Sequence, residues 1–444
     1  MWTPVLTPSS QPRYLALVDA IAAAIESGEL KVGDRLPPQR RLAWHLGLNP
    51  STTMQAYREA ARRHLVSGEV GRGTYVLAGS KEATLFRLKA PSPSLPCIDL
   101  STHVPALDPY NRDLEDALST LAGTVHGFAH QGYLMPDRLT QGCIAGANWL
   151  ALRGMSYSPN QLMLCAGAQQ GVFAALLALC KPGEPVLAEH LTAPGIKAAA
   201  RQLRLPLHGI PLDAQGPVPD ALDRLVRATG ARVVVLIPTL QNPTGLSMTA
   251  ERRHLLAEIV HRHALWIIED DVYGALSNEP PLAQVLPKRT LMITSLSKTV
   301  APGLRIGFLA GPHSLLERID PEGQATHWAI SPLCLEIAQR WIQDGTASRR
   351  LAWQQEEVGQ RWRLARRLLG THWVTSAQPS PHLWMTGTGQ GLAERCRAAG
   401  VEGVGASTFA VTSTTIDAVR FSLSAAPDRV VLKQALERIA SAIS

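Results

Sequence analysis

The chain has 444 residues, room for two or three domains. With 45% hydrophobic and 18% charged residues it is a folded globular chain, which excludes disordered and collagen-like classes. There are 43 basic and 36 acidic residues, and the net charge of +7 permits nucleic-acid binding without establishing it. No apolar run is long enough for a bilayer, and the opening MWTPVLTPSS lacks the basic and apolar regions of a secretory signal, so a cytoplasmic protein is expected. Cys97, Cys143, Cys165, Cys180, Cys334 and Cys396 show no C-x-x-C spacing, so reduced, mostly buried thiols and no metal site are expected.

Leu17, Ile21 and Ile25 recur every four residues and predict a helix that Gly28 ends. Pro37 and Pro38 open a second short helix, QRRLAWHLG, stopped by Gly47. Asn49 suits the N-cap of a third helix and Pro50 its first position; STTMQAYREAARRHL continues it, with Met54, Tyr57 and Ala61 assigned to the inner face. VSGEVGRGTYVLAG alternates Gly-rich turns with β-branched segments and predicts a hairpin. Two helices, a tight turn, a third helix and a hairpin are arranged as in a winged helix-turn-helix. The start of the third helix carries short polar side chains suited to a major groove, and its N–H groups favour phosphate. Asn49, Ser51, Thr52 and Gln55 are candidates for base edges, and Arg40, Arg41 and Arg72 for the phosphate backbone. From the pattern alone, a small helical bundle with solvated charges is an equal alternative.

GELKVGDRLPPQRRLAWHLGLNPSTTMQAYREA resembles the DNA-binding domain of the GntR family of bacterial regulators. The resemblance spans residues 12 to 78 and rests on Gly33, Asp34, Leu36, Pro37, Arg40, Leu42, Ala43, Leu46, Gly47, Thr53, Tyr57, Gly71, Gly73 and Thr74. It implies double-stranded DNA as a partner of a domain spanning residues 1–78. Pro50 departs from it, since many members carry arginine there.

KAPSPSLPC, with three prolines in six residues, breaks both helix and strand periods and places a linker at 79–96. Beyond it, LMLCAG, PVLAEH, VVVLIP, LWIIED, LMITS and RIGFLAG are predicted as buried strands, and GVFAALLALC, TAERRHLLAEIVHRHA and VLKQALERIASAI as helices. This alternation predicts an α/β fold with a mostly parallel sheet covered on both faces, its ligand beyond the C-terminal strand ends.

Four polar motifs follow predicted strands. Ala166-Gly167-Ala168-Gln169-Gln170 opens a helix at a glycine turn and suits an anion. Gln241-Asn242-Pro243-Thr244-Gly245 reads equally as a tight turn. Glu269-Asp270-Asp271-Val272-Tyr273 sets three acids side by side, so a compensating cation is expected. In TSLSKTVAPGLRIGF, Lys298 lies between Ser295 and Ser297 on one side and Arg305 on the other. Together the motifs call for a ligand that is anionic at one end, cationic in the middle and electrophilic toward an amine. Pyridoxal 5′-phosphate has that form, with Lys298 condensing with its aldehyde and Ser295 and Arg305 at its phosphate.

These motifs resemble those of fold-type I aminotransferases, the aspartate aminotransferase superfamily, over about residues 97–444. The resemblance implies that Lys298 forms the Schiff base, that Asp270 pairs with the pyridine nitrogen, and that Tyr273 and Asn242 bond the ring hydroxyl. It also implies that Gly167, Ala168, Gln169, Ser295, Ser297 and Arg305 bind phosphate. Tyr133, in GYLMPDRL, is implied to reach the neighbouring subunit's phosphate, and Arg420, in AVRFSLS, to grip a substrate carboxylate. The family's E-x-P-x-Y-P-G, which stacks a tyrosine on the cofactor ring, departs here to Glu189-His190-Leu191-Thr192-Ala193-Pro194-Gly195; His190 is a candidate replacement or a surface histidine. Residues 400–409, GVEGVGASTF, are either a loop over the site or a connector. A small C-terminal subdomain is expected from about residue 320.

A GntR-type winged helix linked to an aminotransferase-like body resembles the MocR subfamily of regulators. This implies a pyridoxal-phosphate-dependent transcriptional regulator that senses an amino compound or the cofactor itself, as a homodimer on an operator with two half-sites. The alternative is a working aminotransferase of amino acids that carries a DNA-binding module.

Overall fold

The computed structural model describes the chain apart from residues 1, 7–11, 27–28, 31–33, 63–64, 70–72, 77–96, 125–131, 320–329, 371–377, 388–390, 413 and 444. Gly28, Gly33, Gly71, Arg72 and the expected linker 79–96 lie outside the described residues. The chain forms two compact units, Met1–Pro91 and Ser92–Ser444.

In the first unit, helices α1 (Arg13–Glu26), α2 (Gln39–Leu46) and α3 (Pro50–Arg62) precede an antiparallel hairpin of β1 (Val66–Glu69) and β2 (Gly73–Val76). Gly47 ends α2 in the left-handed conformation, φ 59°, which glycine adopts without a Cβ clash. Asn49 Oδ1 accepts the Ser51 amide at 2.9 Å and so caps α3. Leu17 and Ile21 are buried with Leu36, Leu42, Tyr57, Val66 and Val76, so helices and hairpin share one core. Tyr57 keeps its hydroxyl satisfied there by donating to the Pro37 carbonyl at 2.6 Å.

The inner face of α3 differs from the expectation. It is Thr53, Ala56, Tyr57 and Ala60, spaced i, i+3, i+4 and i+7, while Met54 is 39% exposed. A large apolar side chain drew the assignment one position off the small-residue stripe that lets α3 pack closely on α1.

The second unit is built on a seven-stranded sheet in the order β4-β12-β11-β10-β9-β5-β6. The strands are β3 (Ile98–Asp99), β4 (Leu162–Cys165), β5 (Val186–Glu189), β6 (Leu207–Ile210), β7 (Leu212–Asp213), β8 (Gly216–Pro217), β9 (Val233–Leu236), β10 (Trp266–Asp270), β11 (Thr290–Ser295), β12 (Gly307–Ala310), β13 (His382–Thr386), β14 (Val401–Glu402), β15 (Val404–Gly405) and β16 (Ala418–Ser422); β3, β7, β8 and β13–β16 lie outside this sheet. Within it, β12 runs antiparallel to both neighbours and the rest are parallel. Val233 and Val235 join Val186 and Ala188 in one core, and Val234 and Leu236 join Leu187 in another. Burial on both faces is why these strands are unbroken apolar runs rather than alternating ones.

All six expected strands form. The edge strand β6 was not expected: LHGI carries His208 and Gly209, and an edge position tolerates them.

Toward the C-terminus, β13, β16 and β15 form a three-stranded sheet, and β14 pairs with β3. One face turns Leu383, Met385, Val419 and Phe421 into a core with Leu100, Trp362 and Leu432. Period-two alternation puts His382, Trp384, Arg420 and Ser422 on the opposite face. Residues 400–409 are part of this body, as β14, β15 and a short turn at Ala406–Thr408. Among the cysteines, Cys165 and Cys396 are buried, Cys97 is exposed and the rest are intermediate, so the expected burial holds for two. No helix among the described residues is long and apolar enough to cross a membrane, and none of their side chains form a metal cluster.

Candidate functional site

The C-terminal ends of the central strands bring the predicted residues together. Asp270 ends β10 beside Ile293 of β11, and Ser295 ends β11 opposite Gly307 of β12. The chain then turns through Leu296–Lys298. Gly307 in turn pairs with Cys165, so the Gly167 turn lies alongside. A Cβ on Gly307 would come within 2.8 Å of the Gly167 carbonyl carbon, and one on Gly167 would sit 2.9 Å from Arg305 Cζ. Gly167 also has φ +84°, so only glycine fits without strain. It caps helix Ala168–Leu179, whose first N–H groups have no intrahelical acceptor. Arg305 donates to the Ala166 carbonyl at 3.2 Å and Ser297 Oγ at 3.5 Å. The result is a concave group of amides, hydroxyls and one guanidinium, which suits a phosphate.

The three neighbouring acids have three fates. Glu269 accepts the Leu282 and Ala283 amides at 2.8 Å each. Asp271 accepts Arg153 Nε at 2.9 Å and Nη2 at 3.1 Å, which supplies the expected cation. Among the described residues Asp270 has one hydrogen bond, from the Val272 amide at 3.3 Å. Burial pushes its carboxyl up to about 6, with Lys298 pulling the other way. Asp270 is therefore the carboxylate left available to a cationic ligand.

Lys298 donates to the His103 carbonyl at 2.6 Å. Burial, then the Arg420 charge, brings its ammonium down to about 8. Arg420 is buried, donates to Asn242 Oδ1 at 3.1 Å and to the Ser101 carbonyl, and its Nε has no partner among the described residues. Its guanidinium lies 5.1 Å above the Phe409 ring. Tyr273 is buried between these groups, and burial raises its phenol above the ordinary value.

Three of the candidate residues point elsewhere. Gln169 is exposed and donates to the Gly195 carbonyl at 2.7 Å, leaving its backbone amide as its contribution to the anion site. Tyr133 is 72% exposed and is not brought to the site within this chain. His190 Nδ1 accepts the Leu212 amide at 3.2 Å, and its ring lines a separate cavity of about 520 Å³ with Thr244, Glu279 and Trp384. That cavity is lined by none of Lys298, Asp270, Tyr273 or Arg420.

Sequence reasoning missed His103 and His382. The His103 ring lies 4.7 Å from that of Tyr273 and 5.0 Å from that of His382. His382 Nε2 lies 2.8 Å from the Gln241 carbonyl, and a carbonyl only accepts, so Nε2 carries the proton. Its Nδ1 then accepts from His103 Nε2 at 3.4 Å, and His103 Nδ1 faces Ser422 Oγ at 3.4 Å. Burial and then the Arg420 charge bring His382 down to about 3; burial and then Lys298 hold His103 well below its ordinary value. Both rings are neutral. The one available signal was a histidine alternating with Trp384 on an otherwise apolar strand.

A sheet-edge lysine, aspartate and phosphate cradle in an α/β body, preceded by a winged helix-turn-helix, define a helix-turn-helix domain fused to an aminotransferase-like body. The chain belongs to the aminotransferase class I and II family, matched over residues 141–439, and matches the family of bacterial regulatory proteins, gntR, over 13–76. This is the layout of the MocR subfamily. The HTH-type transcriptional regulator YdeF of Bacillus subtilis is 28% identical over 98% of this chain and 95% of its own length. The vitamin B6 salvage pathway transcriptional repressor PtsJ of Salmonella typhimurium is 28% identical over 76% of each chain. The α-aminoadipate aminotransferase LysN of Thermus thermophilus, solved with N-(5′-phosphopyridoxyl)-L-leucine, shares the fold with a TM-score of 0.70 and 21% identity, covering 82% of this chain and 95% of its own.

Proposed function

We propose that this protein is a transcriptional regulator that binds double-stranded DNA through its winged helix and uses its aminotransferase-like body to hold pyridoxal 5′-phosphate and sense an amino compound. The carrying observation is the convergence of Lys298, Asp270, Tyr273 and Arg420 beside the Gly167–Arg305 cradle, in a chain that also has a gntR-type domain. The residues fit the cofactor: an underused buried carboxylate for its ring nitrogen, a cradle that a Cβ would fill for its phosphate, and an amine between them. When bound, the cofactor supplies an aldehyde that an amine can capture and a ring that draws electrons from an attached amino compound.

Lys298 is the amine that would hold the aldehyde, and Asp270 would keep the ring nitrogen protonated. Asn242 and Tyr273 would face the ring hydroxyl. The Gly167–Gln169 amides, Ser295, Ser297 and Arg305 would take the phosphate, with Tyr133 supplied by a second copy. Arg420 would take a ligand carboxylate. Exposed Leu107, Tyr110, Leu114 and Leu118 support a homodimer, and hence an operator with two half-sites. Arg40, Arg41, Asn49, Ser51 and Gln55 are exposed and Thr52 is partly so, as DNA contact requires. Such a protein works in the cytoplasm.

Titration with pyridoxal phosphate should give a visible absorption band in the wild type and none in Lys298→Ala. A gel shift with the DNA upstream of the protein's own coding region should be salt-sensitive and lost in Arg40→Ala. A protein that stays colourless with excess cofactor refutes the sensor; sequence-independent DNA binding refutes the regulator. A lysine brought down to about 8 also favours a second reading, a working aminotransferase, which steady conversion of an amino acid and a keto acid would establish.

A further inference from the structure

The cavity of about 520 Å³ beside His190 has the volume of a small-molecule pocket. It lies where the central body meets the three-stranded sheet. His190 and Leu191 follow β5, Leu212 and Asp213 form β7, Leu246 and Met248 precede the helix Ala250–Arg262, and Trp384 belongs to β13. Gln378 Nε2 donates to Glu279 at 2.8 Å across the same seam. The lining is one-sided in charge. Leu191, Leu212, Leu246, Met248 and Trp384 supply apolar and aromatic surface. The acids that line the cavity are Asp213 and Glu279, and no lysine or arginine joins them among the described residues. Their countercharges stand outside the lining: Arg252 donates to the two Asp213 oxygens at 3.0 and 2.8 Å, and Arg253 to Glu279 Oε2 at 3.3 Å. The hydrogen bonds from Arg252 hold the Asp213 carboxyl below its ordinary value, so it stays ionised. His190 adds no positive charge. Its Nδ1 accepts the Leu212 amide, so Nε2 carries the single ring proton, and burial lowers its affinity for a second one.

We propose that this cavity is a second ligand site, separate from the one at the strand ends, and that it takes a flat aromatic molecule carrying a positive charge. The aromatic body covers the apolar lining, with the Trp384 ring and the Met248 thioether as its natural contacts. The charge gains from the Trp384 ring and from the two carboxylates, whereas an anion would meet like charge and no lining cation. Because the lining comes from both the central body and β13, an occupant fastens one to the other. The proposal goes beyond the function given above and does not depend on the cofactor.

The test is isothermal titration calorimetry of the full chain with 1-methylquinolinium, a permanent aromatic cation that no aldehyde can capture, before and after addition of pyridoxal phosphate. One cation per chain should bind, with the same affinity in both states. Ala214→Trp, which adds a large ring at an exposed position of the lining, should abolish that binding while the circular dichroism spectrum stays that of the wild type; if this variant does not fold, Leu246→Trp fills the same space. 2-Naphthoate, similar in size and opposite in charge, should bind the site blocked by Ala214→Trp at least about tenfold more weakly. No binding of the cation, undiminished binding in a folded tryptophan variant, or displacement by pyridoxal phosphate overturns the second site. Equal affinity for 2-naphthoate overturns the charge requirement. Cation binding without any cofactor band supports this proposal and overturns the function given above.

Discussion

Changing Arg153 to methionine should cost the body about 3–5 kcal/mol. The guanidinium and the Asp271 carboxylate are both buried, with side chains 5% and 0% exposed, and meet through two hydrogen bonds. Removing one partner of such a pair leaves a bare buried charge, and that loss is the origin of the figure. At about 2–4 °C per kcal/mol for domains of up to 250 residues, and less for a larger body, the melting transition should drop by on the order of 5–10 °C.

The deficit should depend on pH in one direction. Burial already holds the Asp271 carboxyl above its ordinary value, and Arg153 is the main group drawing it back down. A carboxyl with a raised folded pKa takes up a proton on folding, so its contribution falls as pH rises through the gap between the unfolded and folded values. Without Arg153 the gap widens. The variant should match the wild type near about pH 4, where an unfolded aspartate titrates, and fall furthest behind at neutral pH and above. Arg153→Met/Asp271→Asn, which removes both charges, should recover most of the loss. Thermal melts from pH 4.5 to 8 decide the matter; a deficit equal at both ends, or none, would refute the assignment of Arg153 as the cation for the acidic triplet.

Gly167→Ala should raise the pyridoxal phosphate dissociation constant at least about tenfold, since its methyl takes space from the Arg305 guanidinium at a φ of +84°; an unchanged constant would count against the cradle. Cofactor uptake by apo-protein should quicken with pH up to about 8 and level off above it, because the neutral form of Lys298 is the nucleophile; a flat profile in stopped-flow absorbance would remove Lys298 from that role. Asn49→Ala should cost the N-terminal unit about 1 kcal/mol through its lost cap, and Asn49→Gly only a few tenths; equal losses in chemical melts would show that the cap contributes nothing.

The parts of this chain that could be read in its sequence were those set by local pattern. Strands buried on both faces show as apolar runs, and the polar residues just past them, Asp270, Ser295 and Lys298, stand out because such runs end abruptly at the sheet edge. Strand β6 was hidden because an edge strand needs only one good face. That the acidic triplet needs a cation follows from like-charge repulsion, but Arg153 lies 118 positions from Asp271, and only the fold brings them together. His103 was further out of reach: it sits in an unremarkable THVP, and its meaning comes from Lys298, 195 residues on. Met54 shows the opposite error, where hydrophobicity was trusted over the spacing that close helix packing demands.

The shifts of the basic groups at the site share a direction. Lys298 falls to about 8 and Arg420 to about 10, and His382 and His103 are held neutral. Burial leads in every case, but it is not the only cause. Lys298 is further depressed by Arg420 and Arg305, and both histidines by Lys298 and Arg420. Three cations thus face one unpaired acid, Asp270, whose own pull on Lys298 is outweighed. Glu269 and Asp271 cannot correct the balance, because backbone amides and Arg153 already hold them. A folded protein that buries cations beyond its anions forgoes stability unless something negative arrives. The imbalance lies at both ends of the site, Arg305 at one and Arg420 at the other. A ligand set that is anionic at both ends, a phosphate in the glycine cradle and a carboxylate on the strand β16 arginine, would remove it.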